Sequence, residues 1–152
     1  MVVYLVNDKN EKEKITLDIL RSLGDYFEDE DAIIDYSKKA RDYMLFSYEE
    51  DSSCVGFILI NFINDIVSEI EVMGVKPNYF RKKIGTSLFN SAYDYLKNNN
   101  YKKLIVKTVK LGVYPEYDST NYFYKKMGFV EKEILNIWGE SNPCQIYELD
   151  II

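Results

Sequence analysis

The stretch Ile70-Glu71-Val72-Met73-Gly74-Val75-Lys76-Pro77-Asn78-Tyr79-Phe80-Arg81-Lys82-Lys83-Ile84-Gly85-Thr86-Ser87-Leu88 decides how this chain is read. It begins as an apolar run of strand type, and Pro77 ends that run. From Ile84 onward, apolar residues recur at Leu88, Ala92 and Leu96, four apart, which is helical spacing. Between the two lie Arg81, Lys82 and Lys83, then Gly85. A strand, a basic turn and a helix in that order set backbone N–H groups, a helix N-terminus and three cations around one point. Such a point attracts phosphate.

The rest of the composition narrows the kind of phosphate. The 152 residues are expected to form a single domain over 1–152, long enough to bury a proper core. Hydrophobic residues at 47% and charged residues at 29% are globular values. A net charge of -6 argues against a general nucleic-acid or anionic-membrane binder, because phosphate contacts dominate such affinity. A local basic patch on an acidic protein fits a small phosphorylated ligand better. There is no histidine, which excludes Ser-His-Asp and Cys-His catalysis and the common zinc sites. Acid–base work must then fall to Glu, Asp, Tyr, Lys or Cys. Cys54 and Cys144 are unclustered and read as reduced core thiols. The run 2–6 has strand length, too short for a signal peptide or a span, and no other apolar segment reaches spanning length. The chain is read as soluble and cytoplasmic.

Taken in order, 2–6 is a strand, and Ile15, Leu17, Ile19, Leu20 and Leu23 mark a helix that Gly24 ends. Residues 32–41 form a second helix, with acids before it and cations at its end, as the helix dipole favours. Strands at 43–48, 53–62 and 66–75, joined by short polar turns, make an antiparallel meander. The helix opening near Lys83 ends at Asn98-Asn99-Asn100, and 103–109 is a fifth strand. A helix over about 119–127 stops at Gly128, and strands at 129–138 and 145–151 close the chain. The order β-α-α-β-β-β-α-β-α-β-β predicts an α/β (α+β) fold. Its mixed, mostly antiparallel sheet has about seven strands, with helices on both faces. The fourth and fifth strands should lie side by side and parallel. Ligands of such sheets bind at carboxyl ends of strands, where the Pro77-to-Thr86 turn sits.

With this order and this turn the chain resembles the GNAT superfamily of N-acetyltransferases, which transfer an acetyl group from acetyl-CoA to an amine. The resemblance covers nearly the whole chain in element order and is sharpest over 70–88 and 117–130. Val75-Lys76-Pro77 and Ile84-Gly85-Thr86-Ser87-Leu88 match the family's strand end and central-helix start. Phe80 stands at the family's Gln/Arg position and Lys83 at its first loop glycine. By this resemblance Arg81, Lys82, Lys83, Ile84, Gly85 and Thr86 bind the pyrophosphate or 3′-phosphate of CoA. Met73, Gly74 and Val75 offer backbone amides to pantetheine and the thioester carbonyl, stabilising charge as it develops there. Tyr124, followed by Gly128-Phe129, falls on the family's phenol beside the CoA sulfur. A phenol of pKa ~10 can protonate a thiolate of pKa roughly 8.5.

A base is also needed, because the amine arrives protonated. Glu69 and Glu71 share one face of the fourth strand by two-residue alternation, with Met73 and Val75 further along it. Either carboxylate, acting directly or through water, is a candidate, Glu69 standing where some members project their glutamate. The family's acceptor pocket falls here on Tyr26-Phe27-Glu28 and Trp138-Gly139-Glu140, with Phe27, Trp138 and Glu140 as the expected lining. An aromatic-plus-acid pocket suits a cationic amine. The expected partners are acetyl-CoA as cosubstrate and a small-molecule or protein amine as acceptor. No metal, nucleic acid or membrane is expected, and a homodimer is left open. Two alternatives stay open: a non-catalytic acyl-CoA-binding or sensor module of the same fold, and binding of another phosphate compound at the basic turn.

Overall fold

The computed structural model describes residues 2–24, 27 and 29–152. Strand β1 (Val3–Val6) is followed by two helices, each begun by an aspartate. The Asp8 carboxylate accepts the Glu11 N–H at 2.9 Å and opens α1 (Lys9–Ser22). Asp29 accepts the Ala32 N–H at 3.1 Å and opens α2 (Glu30–Ala40). Each carboxylate satisfies a first-turn donor that the helix itself cannot. Then come β2 (Met44–Glu50), β3 (Ser53–Phe62) and β4 (Val67–Val75), followed by α3 (Ile84–Asn98), β5 (Lys103–Val109), α4 (Pro115–Lys126), β6 (Val130–Leu135) and β7 (Cys144–Asp150). The expected helix at 119–127 starts earlier. Pro115 takes the first helical position, where its fixed φ and missing N–H cost nothing, and Glu116 and Asp118 occupy the first turn. The strand expected to run to 138 stops at Leu135, and Gly139 turns the chain at φ 89.

The strands form one sheet in the order β1-β2-β3-β4-β5-β7-β6. Only β4 and β5 are parallel; every other pair is antiparallel. One face buries Ile58, Ile60, Ile70, Leu104 and Val106 against α3 and Tyr124 of α4. The other buries Leu45, Phe57, Leu59 and Val72 against α1 and α2. Both thiols are free, and burial raises both, Cys54 to about 11. Neither therefore offers a thiolate at neutral pH. Among the described residues no helix is long and apolar enough to cross a membrane.

Two irregularities in β4 break the regularity of the sheet at its centre. Its parallel pairing with β5 runs only from Val67↔Lys103 to Ile70↔Val106, after which the strands part. The outer end of β5 pairs with β7 alone. Against β3 the register jumps from Leu59↔Val72 to Ile60↔Ile70, so Glu71 is an extra residue and the strand is bulged. The bulge overturns the expected alternation. Met73 and Val75 pack with the α3 core, while Glu71 reaches Lys39 on α2 and so lies on the opposite face. Glu69 and Glu71 do share a face; Met73 and Val75 do not share it with them.

A buried amide fixes α4 to the sheet. Asn121 donates to Val109 O at 2.9 Å and to Tyr117 O at 2.7 Å, and its Oδ1 accepts the Tyr147 hydroxyl at 2.6 Å. Asn121 is fully buried, and no water can replace these partners without opening the core. Asn121→Ala leaves the Tyr147 hydroxyl and the Val109 carbonyl unpaired. The expected cost is about 3 kcal/mol, read as a fall of roughly 10 °C in thermal unfolding.

Candidate functional site

The basic turn is built by backbone that side chains rarely adopt. Pro77–Tyr79 forms a single 3-10 turn, after which Arg81 lies at φ 65 and Lys83 at φ 61, ψ 24. Lys83 is the N-cap of α3 in the left-handed conformation, at the position where the family pattern has glycine. No side chain caps α3, so the N–H groups of its first turn have no partner from the helix or from a capping residue. Arg81, Lys82 and Lys83 are exposed, and no carboxylate pairs with them among the described residues. The Lys82 ammonium sits 5.1 Å from the centre of the Tyr79 ring. Uncapped amides and exposed cations together give this point a positive potential that favours an anion. At Gly85 an added Cβ would meet Phe123 at 3.5 Å and Met73 at 3.6 Å, ordinary contacts. Phe123 and Met73 therefore line this position at van der Waals distance, and a methyl group fits there without displacing them.

Beside this turn is the gap where β4 leaves β5. The Lys76 N–H donates to Val55 O at 2.8 Å, which fixes the direction of every amide along this end of β4. By alternation the N–H of Gly74 faces β3, while those of Met73 and Val75 face the gap, where β5 no longer pairs. Of the three amides expected to meet a ligand, two are aimed at the gap and Gly74 is not. Gly74 has a packing reason instead: a Cβ there would lie 3.1 Å from Leu23 and 3.2 Å from Ile19 of α1.

Tyr124 is 4% exposed, with its ring against Phe123, Phe129 and Tyr147. Burial pushes its phenol well above the usual value, and Tyr36 adds to the shift. Tyr124 therefore stays protonated throughout the physiological range. Glu69 is buried and pairs with Lys107 of β5 at 3.3 Å. Burial raises its carboxyl, Lys107 opposes the rise and Glu71 adds to it. Glu71, the first β4 residue beyond the last β5 pair, meets Lys39 at 3.4 Å.

The residues expected to line the acceptor pocket fall on two separate segments. Phe27 packs edge-on against Tyr36 of α2, ring centres 5.8 Å apart. Tyr26 and Glu28 lie outside the described residues. Glu140 lines a shallow groove with Ile134, Leu135, Asn136, Gly139 and Pro143, and Trp138 is exposed nearby on the same connection. Among the described residues no hydrogen bond, ion pair or ring contact joins Trp138 or Glu140 to Phe27 or Tyr36. Sequence reading passed over Tyr36. Its phenol is raised by burial and further by Glu71, while Lys39 lowers it, so α2 and β4 converge there. Lys39 and Lys107 were also passed over. Nothing in the linear sequence marks them, because their partners are brought by the fold from 32 and 38 positions away (71 − 39 and 107 − 69).

Known proteins share this architecture. The model of the acetyltransferase (GNAT) family matches residues 13–129. An uncharacterized N-acetyltransferase of Methanocaldococcus jannaschii is 34% identical over 99 residues, 61% of this chain and 42% of that protein. The chain spans about half the length of the curated relatives it matches. A solved aminoglycoside 6'-N-acetyltransferase complexed with coenzyme A superposes with a TM-score of 0.81 at 18% identity, covering 100% of this chain and 98% of that one. The ribosomal-protein-S18-alanine N-acetyltransferase of Escherichia coli does so with a TM-score of 0.77 at 16% identity, covering 98% and 94%. At such identities the likeness of these structures is one of fold.

Two substitutions test the turn without any ligand. Lys83→Gly should change unfolding stability by less than about 1 kcal/mol, since relief of the left-handed strain is offset by the entropy of glycine. Lys83→Val, a branched residue in the same conformation, should cost about 2 kcal/mol.

Proposed function

Because the chain belongs to the acetyltransferase (GNAT) family, we propose that it acts as one N-acetyltransferase domain that moves an acetyl group from acetyl-CoA to a primary amine by direct attack in a ternary complex. The observation that carries the reading is the parting of β4 from β5 beside an uncapped, basic helix start. The residues present fit CoA. The uncapped first-turn amides of α3, together with Arg81, Lys82 and Lys83, suit its phosphates, and the free edge of β4 suits its amide-bearing arm. Gly85, which has no side chain, lets a ligand come closer to the backbone of the first turn of α3 than another residue there would.

Acetyl-CoA supplies the activated acetyl group and the leaving sulfur. The Met73 and Val75 N–H groups stand about 6.6 Å apart along the strand, so one donates to the thioester carbonyl oxygen as it gains negative charge and the other to the arm of CoA, both oriented before reaction by a fixed strand edge. Glu69 or Glu71 takes the ammonium proton of the acceptor, directly or through water. A carboxyl raised by burial is a better base for this than an exposed one. Tyr124 gives its proton to the departing sulfur. Its raised pKa does not forbid the transfer, because a thiolate released into the same dry site is destabilised by the same burial. Relatives named for a ribosomal-protein alanine and for aminoglycosides support an amine acceptor, from either a protein or a small molecule.

Thiol release from acetyl-CoA with a panel of primary amines tests the reaction. Thermal shift with CoA, ATP and NAD tests the ligand, since the specific one stabilises by mass action. Preference for ATP or NAD would sink the reading, and CoA binding without acetyl transfer would favour an acyl-CoA sensor. Gly85→Ala should leave the free protein at least as stable while weakening CoA binding about tenfold. Tyr124→Phe should lower kcat about 100-fold. If Glu69 is the base, kcat/KM rises with pH through its raised pKa, so the acidic limb lies above the ordinary glutamate value of 4.5. Glu69→Gln should remove that limb.

A further inference from the structure

Lys39 reaches the Glu71 carboxylate from the last turn of α2. Its Nζ lies 3.4 Å from Glu71 Oε1, 3.1 Å from Asp35 Oδ2 and 5.9 Å from the centre of the Tyr36 ring. Two carboxylates and an aromatic face thus surround one ammonium, an arrangement that recognises cations generally. The two sides of the arrangement differ. The Glu71 side chain is only 14% exposed and stands at the mouth of the β4–β5 gap, while the Lys39 side chain is 42% exposed on a flexible four-carbon stem. Tyr36 is held from behind by Phe27. The carboxylate and the ring are therefore fixed, and the ammonium between them is exchangeable.

We propose that Glu71 and Tyr36 form the docking site for the acceptor ammonium, and that Lys39 fills this site in the free protein as a tethered competitor. The inference rests on the acetyltransferase reading and names its acceptor class: linear aliphatic primary amines, which present the same slender ammonium terminus as the lysine they displace. Exchange of one ammonium for another keeps Glu71 paired at every stage, so the partly buried carboxylate is never left bare. The displaced Lys39 retains Asp35, which lies one helical turn before it and is itself exposed. Secondary amines, and amines whose nitrogen sits on a branched or ring carbon, lack this narrow cationic end and would not replace it.

Lys39→Met removes the ammonium and keeps a flexible apolar stem. With 1,4-diaminobutane as acceptor, KM should fall about tenfold, by more than any change in kcat. Binding of 1,4-diaminobutane alone, followed by calorimetry without acetyl-CoA, should tighten by a similar factor. Lys39→Gln serves the same purpose should the methionine variant fold poorly. An unchanged or raised KM and an unchanged binding constant, in a folded variant that still acetylates the diamine, overturn the inference and leave the enzyme reading intact. If the unaltered protein releases no thiol with any amine, the enzyme reading fails instead. Tighter diamine binding by the Lys39 variant would then still support the ammonium site.

Discussion

The proposed site depends on two neighbouring strands failing to stay together. The parallel ladder of β4 and β5 lasts four residue pairs and ends at Ile70↔Val106. Had it continued, the amides of Met73 and Val75 would be spent on β5, and the sheet would present no free edge in its interior. Two features keep the strands apart. The bulge at Glu71 bends β4 and increases its twist as it runs outward along β3. Meanwhile β5 remains paired over its full length with β7, and Asn121 ties its end to α4. An open edge inside a sheet is normally a liability. Here it lies at the carboxyl end of a strand, facing the start of a helix, where a ligand can complete it.

The electrostatics around the gap follow the same economy. Glu69 and Glu71 are drawn into a half-dry region, which would be costly for two like charges. Each is compensated by a lysine from a different element, Lys107 from β5 and Lys39 from α2. The bulge decides this arrangement too. It leaves both carboxylates on the α2 face while sending Met73 and Val75 to the α3 face. Carboxylates and apolar side chains are thereby separated across one strand.

Much of this was legible in the sequence because it is written locally. Apolar alternation and polar turns revealed the β2–β3–β4 meander, and the crossover through α3 implied a parallel β5. The strand, the basic turn and Gly85 pointed to a phosphate site because each depends on neighbours in the chain. The bulge was not legible. Glu71 carries no local mark of being an extra residue, since a bulge is a relation of register to another strand. The expected helix at about 119–127 begins later than α4 does, because Pro115 carries no apolar periodicity, although proline is at home in a first helical turn. Tyr36 and Lys39 were missed for a third reason: in the linear pattern they are two residues on the face of a short helix, and only the packing of α2 against β4 gives them partners. Trp138 is a different case. Its expected place followed from a family resemblance, and the early end of β6 leaves it on an exposed connection.

The position of β7 has a consequence for how the molecule comes into being. In sequence it is the last strand, but in the sheet it lies between β5 and β6. Until residues 144–150 have been made, β6 has nothing to pair with, the outer half of β5 lacks its ladder, and the Asn121 amide lacks the Tyr147 hydroxyl. In vectorial synthesis the meander and the two N-terminal helices can therefore assemble early, whereas the half bearing Tyr124 closes only when the final strand is inserted. The helix that carries Tyr124 is locked by a strand made after every other strand of this sheet, so closure of that half of the fold waits on translation through the end of β7.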